Sequence, residues 1–325
     1  MYTLLGYYHY NNCGDQALLA AALKILDGIE VAVASPKNKS KMTDKIILGG
    51  GDIINPFFLD LVKDAKDVKV LGAGLGYESE LDLLCGLDNV SQVFFRNRKD
   101  VELARARGLD AYYTPDIVFK LDVPKVVKKP GKKKVLGIML ADSISASHKQ
   151  KDFQQIHYGQ FLKATLASVL AELREYYRVV FIPMCHARYQ YDVKMMYEVL
   201  SFLPPVEVEH EVLSYAEPEQ VLEAVSQLDV LMTMRFHGLI FATLAGVPVI
   251  NIGVTRKTET YMLEHGLEGL SVKPFTLSRE RLLEAVKYAE QPGMAEKILE
   301  VREEKRRQVD EVAAHFRALM ASPQG

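Results

Sequence analysis

Arg235-Phe236-His237-Gly238 sets a guanidinium and an imidazole close together between two apolar stretches, Asp229 to Met234 and Leu239 to Ala245. A guanidinium presents a planar fork of donors matched to a carboxylate or phosphate. An imidazole changes protonation nearest neutrality, so it can give or take a proton during a reaction. Side by side, the two suit an anionic substrate with proton transfer beside it. The bland alternative has His237 packed against a helix and Arg235 paired with a nearby carboxylate, and the short motif alone does not separate the two.

Other residues of similar character recur along the chain. His186-Ala187-Arg188 again joins an imidazole and a cation, and Thr255-Arg256-Lys257 adds two cations further on. In the first half, Asn11-Asn12-Cys13-Gly14-Asp15 combines helix-capping side chains with a glycine that permits close approach of a ligand. Gly49-Gly50-Gly51-Asp52 is costly in backbone entropy, and such a run is expected where backbone must face a ligand or another segment. Asp52 could accept a proton or orient a sugar hydroxyl, or else cap a helix or turn. Arg96 ends an apolar run and either reaches a ligand or stays solvated at a helix start. Gly72-Ala73-Gly74-Leu75-Gly76 lacks the spacing of a dinucleotide fingerprint and is not read as a cofactor site.

The elements that must position these residues follow from periodicity. Asp229 to Met234 and Val247 to Ile252 read as short buried strands, with a helix over Leu239 to Ala245 stopped by Gly246. That is a strand–helix–strand unit with parallel strands, and it places Arg235 and His237 at a strand's carboxyl end, the edge where open α/β sheets bind ligands. The same alternation starts at Tyr2 to Tyr8, with a helix over Gln16 to Leu26, and continues through strands at Lys45, Val68, Val93 and Ala111. Leu121 to Lys134 is rich in lysine and proline, the composition of an exposed linker. A strand at Val135 restarts the pattern. A polar loop over Ala141 to His157 is long enough for an active-site lid or a binding loop, and a helix is expected over Phe161 to Tyr177. Strands follow at Val179 to Cys185 and Val206 to Val212, then a helix over Pro218 to Leu228. A last helix, about Ala295 to Met320, carries Val309, Val312, Phe316 and Leu319 on one face. The expected fold class is α/β: two Rossmann-like domains facing across a cleft, with the C-terminal helix packing across them. The boundaries are 1–122 for the first domain, 123–134 for the basic linker and 135–325 for the second domain with its helix.

Composition bounds the partners. The 325 residues are 49% hydrophobic and 25% charged, as in an ordinary globular protein, and a net charge of -2 gives no general attraction to nucleic acid. The three cysteines fall in no metal-binding spacing, so no metal is expected and a reduced compartment fits. Neither a signal peptide nor an apolar run near ~18 residues is visible, which points to a cytoplasmic protein, with peripheral contact at the inner face of the membrane allowed.

Taken jointly, several motifs resemble the polysaccharide pyruvyl transferase family, whose fold is GT-B-like. They are Gly6-Tyr7-Tyr8-His9-Tyr10-Asn11-Asn12-Cys13-Gly14-Asp15-Gln16-Ala17, Gly49-Gly50-Gly51-Asp52, Pro115-Asp116, and Met234-Arg235-Phe236-His237 with Ala245-Gly246-Val247-Pro248-Val249-Ile250, then Lys257 and Gly266-Leu267. The resemblance implies a transferase of polysaccharide biosynthesis at the cell envelope. It would move the pyruvyl group of phosphoenolpyruvate onto two hydroxyls of a saccharide, forming a pyruvate ketal and releasing phosphate. It further implies catalytic roles for His237 and Arg235, donor binding by Arg188, Lys257 and Gly238, and acceptor binding by Asn12, Gly14, Asp15, Gly50, Gly51, Asp52 and Arg96. The acceptor would be a saccharide, free or lipid-linked, and no cofactor beyond the donor substrate is implied. Gln16 stands where the family often has an acid, and Asp100 where it often has serine. Two rival functions share these features: a GT-B glycosyltransferase using a nucleotide sugar, since fold does not fix function, and a non-catalytic sugar- or anion-binding protein.

Overall fold

The computed structural model describes residues 1–38, 42–126, 128, 131–141, 153–187, 190–214, 217–253 and 255–321. The chain divides into two compact units, one made of residues 1–122 with 303–325 and the other of residues 123–302.

In the first unit the chain alternates β1 (Tyr2–Leu5), α1 (Cys13–Ile25), β2 (Val31–Ala34), β3 (Lys45–Gly51), α2 (Pro56–Val62), β4 (Asp67–Ala73), α3 (Ser79–Cys85), β5 (Val90–Phe95), α4 (Arg98–Ala106) and β6 (Ala111–Tyr113). The strands are all parallel, in the order β2-β1-β3-β4-β5-β6. Parallel strands need crossovers and are covered on both faces, hence the continuous apolar runs. Successive residues take opposite faces. Leu5, Leu48, Val70 and Phe95 join one buried cluster with Phe58 and Leu81, while Leu4, Ile47, Leu71 and Phe94 are buried on the other face. Chain order reverses between β1 and β3. The turns after those two strands therefore flank a topological switch point, where such sheets bind ligands.

The second unit contains β7 (Lys134–Met139), α5 (Phe153–Leu173), β8 (Tyr177–Phe181), a small antiparallel hairpin of β9 (His186–Ala187) and β10 (Gln190–Tyr191), α6 (Asp192–Ser201), β11 (His210–Val212), α7 (Pro218–Ser226), β12 (Val230–Thr233), α8 (Phe236–Ala245), β13 (Val249–Ile252), α9 (Arg256–Glu264), β14 (Ser271–Val272) and α10 (Arg279–Ala289). Its parallel sheet runs β11-β8-β7-β12-β13-β14. The switch point lies between β7 and β12, and Arg235 and His237 follow β12 directly. The helix α11 (Met294–Ala321) begins in the second unit and ends in the first.

Most expected elements recur within a few residues of their expected bounds, and the differences have local causes. The helix after β12 opens at Phe236 rather than Leu239, which puts His237 inside its first turn. α5 opens at Phe153, eight residues before the expected start at Phe161, and ends at Leu173. Gln154 and Gln155 are good helix formers, so a polar sequence does not by itself make a loop. The expected lid over Ala141 to His157 lies mostly outside the described residues. Tyr177 opens β8 instead of closing the helix, because its ring is buried and its hydroxyl donates to Glu290 at 2.6 Å. Among the described residues, no helix is long and apolar enough to cross a membrane.

Candidate functional site

In the second unit, Thr233 at the end of β12 pins the backbone that carries Arg235. Its hydroxyl accepts from the Arg235 amide at 2.9 Å and donates to the Arg235 carbonyl at 3.1 Å. Arg235 then occupies the N-cap position of α8, and its guanidinium Nη2 donates to Oδ1 of Asp192. Asp192 is fully buried at the first turn of α6, and its Oδ2 accepts from the amides of Met184 at 3.0 Å and Cys185 at 2.9 Å. Burial pushes the Asp192 carboxyl above its ordinary range, opposed by the Arg235 guanidinium and by those two amides. All three donors favour the ionised form.

His237 lies in the first turn of α8, half-buried, its ring 5.6 Å from that of Phe236. Lys257 of α9 is exposed, with Nζ 5.8 Å from the centre of the Phe236 ring. The hydroxyls of Thr243 and Tyr261 meet at 2.8 Å and hold α9 against α8, keeping Lys257 beside the Arg235–His237 turn. Gly238 is buried, and its amide donates to the Arg235 carbonyl at 3.0 Å. A methyl group there would come within 2.2 Å of the Thr233 hydroxyl, so close packing of α8 on β12 demands glycine. Arg188 lies outside the described residues. The described residue His186 faces the Tyr191 ring at 5.2 Å. Burial lowers the His186 pKa, while the charge of Asp192 opposes that shift.

The first unit gathers its own set at the carboxyl edge. Asn12 caps α1, its side chain accepting from the Gly14 amide at 3.0 Å. The Gly49–Gly51 run serves close approach. The Tyr8 hydroxyl donates to the Gly49 carbonyl at 2.6 Å, and Gly50 and Gly51 have φ of 78° and 84°, which other residues adopt at a cost. A methyl on Gly51 would lie 4.0 Å from Asp15 Oδ1, so Asp15 faces this turn. Asp52 does not cap α2; Asn55 does, accepting from the Phe58 amide at 3.2 Å. Asp52 is instead half-exposed and takes a hydrogen bond from Arg96 Nη2 at 2.5 Å. Arg96 is not a solvated arginine: its side chain is 8% exposed and also pairs with buried Asp116 at 3.3 Å. Gly74 gives Arg96 its room, since a methyl there would meet Nε at 2.8 Å. The glycine run after β4 thus accommodates an arginine. Asp100 accepts from the Leu75 amide at 3.3 Å. Tyr7 adds a hydroxyl whose pKa is raised by burial and by the charges of Asp15 and Asp52, against a hydrogen bond with Asn55.

The structure therefore brings Asn12, Gly14, Asp15, Gly50, Gly51, Asp52 and Arg96 to one sheet edge, and Arg235, His237, Gly238 and Lys257 to another. Sequence reasoning missed Asp192, Asn55 and Tyr7. Asp192 carried one available signal, an acid opening a helix, but many first-turn acids only complement the helix dipole. Among the described residues, no group of histidine, cysteine and acidic side chains could hold a metal ion.

Two parallel α/β sheets with ligand-type residues at their carboxyl edges define a protein of GT-B-like fold. Solved structures aligned over both units bear this out: the S. aureus MnaA–UDP complex (TM-score 0.62, 11% identity, covering 98% of this chain and 97% of that one), a UDP-N-acetylglucosamine 2-epimerase (0.59, 13%, 99% and 97%), and the spinosyn forosaminyltransferase SpnP (0.53, 12%, 99% and 100%). At such identities the likeness is one of fold. No curated protein matches the chain. Residues 12–256 match the model of the polysaccharide pyruvyl transferase family, and the chain belongs to that family.

Proposed function

We propose that this protein transfers the pyruvyl group of phosphoenolpyruvate onto two hydroxyls of a saccharide, giving a cyclic ketal and inorganic phosphate. The observation that carries the reading is the Arg235–His237 turn: a guanidinium paired with a buried carboxylate and an imidazole in the first turn of a helix, at a switch point and within the family's matched region. Helix N-termini favour anions, which adds to the cationic side chains. Arg235 and Lys257 bind the donor's carboxylate and phosphate, and His237 delivers a proton to its methylene carbon. The adjacent carbon becomes electrophilic and one sugar hydroxyl adds to it. A second hydroxyl then displaces phosphate. Of the two hydroxyl protons, one replaces the proton given to carbon and the other leaves on phosphate, so charge and atoms balance. Asp15 and Asp52 are assigned to orient and deprotonate the acceptor hydroxyls.

The test is titration calorimetry with phosphoenolpyruvate and, separately, a panel of nucleotide sugars, on the wild type, Arg235→Ala and His237→Ala. Arg235→Ala is expected to weaken donor binding. His237→Ala is expected to leave donor binding largely intact and, in a phosphate-release assay with an acceptor, to lose most of the rate, on the order of a hundredfold or more. Nucleotide-sugar binding without phosphoenolpyruvate binding would transfer the assignment to glycosyl transfer. Anion or sugar binding without any turnover would favour a binding protein.

A further inference from the structure

We propose that Asp192 is the positioning residue of this anion site, fixing the Arg235 guanidinium by fastening the turn after β12 to the hairpin that follows β8. The proposal rests on the reading above only for the identity of the anion.

β8 and β12 are not neighbours, because β7 lies between them in the sheet. No ladder hydrogen bond can therefore set the turn after one against the turn after the other. Asp192 does so through side-chain bonds. Its Oδ1 takes Arg235 Nη2, and its Oδ2 takes the amides of Met184 and Cys185 at 3.0 and 2.9 Å. Its own amide donates to the Cys185 carbonyl at 3.1 Å, closing the chain around the hairpin. The carboxylate is 0% exposed, and the arginine side chain 14% exposed. Arg235 is held at both ends: Thr233 grips its backbone and Asp192 its head.

Stability alone is a poor account of such a pair. Taking two charges out of water costs about as much as their attraction returns, and apolar residues of like volume often do as well. What the pair achieves is orientation. A long, rotamer-rich side chain is kept in one geometry before the ligand arrives, so less entropy is lost on binding. The same carboxylate holds the Cys185 amide, next to His186 in the chain, so the start of that segment and the arginine share one anchor.

The experiment is a double-mutant cycle on the full chain with Asp192→Asn, Arg235→Ala and the pair together. Phosphoenolpyruvate and inorganic phosphate serve as separate calorimetric probes. Asp192→Asn keeps the shape, so its oxygen can still accept from the two amides, but its amide end faces the guanidinium with donors. Affinity is expected to fall about tenfold or more in the single variant. It should show no further loss when Arg235 is already alanine, because Asp192 acts through Arg235. An unchanged affinity in Asp192→Asn, or an equal loss in both backgrounds, overturns the proposal.

A second measurement covers a variant that fails to fold. In the wild type without ligand, nitrogen NMR of the Arg235 guanidinium should show slow rotation of its Nη groups. Rapid averaging overturns the proposal. If phosphoenolpyruvate does not bind but inorganic phosphate does, the donor assignment fails while the cycle still judges Asp192 with phosphate. If neither binds, the NMR measurement alone decides.

Discussion

At the scale of single residues, His186 lies where two effects on an imidazole oppose one another. Burial lowers its pKa from the ordinary 6.5, and the charge of Asp192 pulls it back, with burial the larger effect. In the folded protein the ring therefore takes up a proton less readily than in the unfolded chain. The stability linked to it is present above the unfolded value and is lost as pH falls through the lowered folded value. Urea midpoints measured at about pH 7.5 and about pH 5.5 should drop more for the wild type than for His186→Gln. Equal drops in the two proteins would remove His186 from the linkage. Arg96 shows a related principle at the other sheet edge. A buried guanidinium must have carboxylate partners, and Asp52 and Asp116 supply them from turns after two other strands.

At the scale of elements, the helix ends place the functional turns. α8 is followed by Gly246 in the left-handed conformation, φ 72°, and the residue at its N-cap position is Arg235 itself. α2 opens on Asn55, with Pro56 in its first turn. Asn55 also ties the helix back to the preceding turn, donating from Nδ2 to the Asp52 carbonyl at 3.1 Å. Asn55→Ala should cost about 1 kcal/mol of stability in the first unit, and Asn55→Asp should recover most of the capping contribution. Urea unfolding compares the three proteins. An alanine variant as stable as the wild type would show that the cap contributes nothing there.

At the scale of the whole molecule, one helix serves two cores. Ile298 is buried in the second unit, and Val309, Ala313 and Phe316 are buried in the first. Phe316 meets Phe94 of β5 edge to face at 5.3 Å, and Arg306 donates to the Leu121 carbonyl at 2.6 Å. Burial of each large side chain contributes roughly 1.5–3 kcal/mol, so losing two of them removes a sizeable part of a domain's usual 5–15 kcal/mol. Truncation after Arg302 should therefore strip hydrogen-exchange protection from β4 and β5 while leaving β7 and β12 protected. Undiminished protection in β4 and β5 would show that the first unit does not need the helix.

Local patterning was enough to read the α/β class, the parallel strands, the left-handed stop at Gly246 and the position of Arg235 and His237 at the carboxyl end of a strand. Those features follow from side-chain periodicity and backbone sterics over a few residues, which the sequence carries directly. The family resemblance was likewise legible, from motifs spread over the chain, and the family match bears it out. Strand order was not legible, and every long-range pairing depends on it. Asp192 and Arg235 are 43 positions apart, and Asp52 and Arg96 are 44 apart. Each of these four residues, taken alone, could equally have been solvated, capped a helix or paired elsewhere. Only folding the sheets decided which turns lie side by side, and with that which charges are buried together and must be paired.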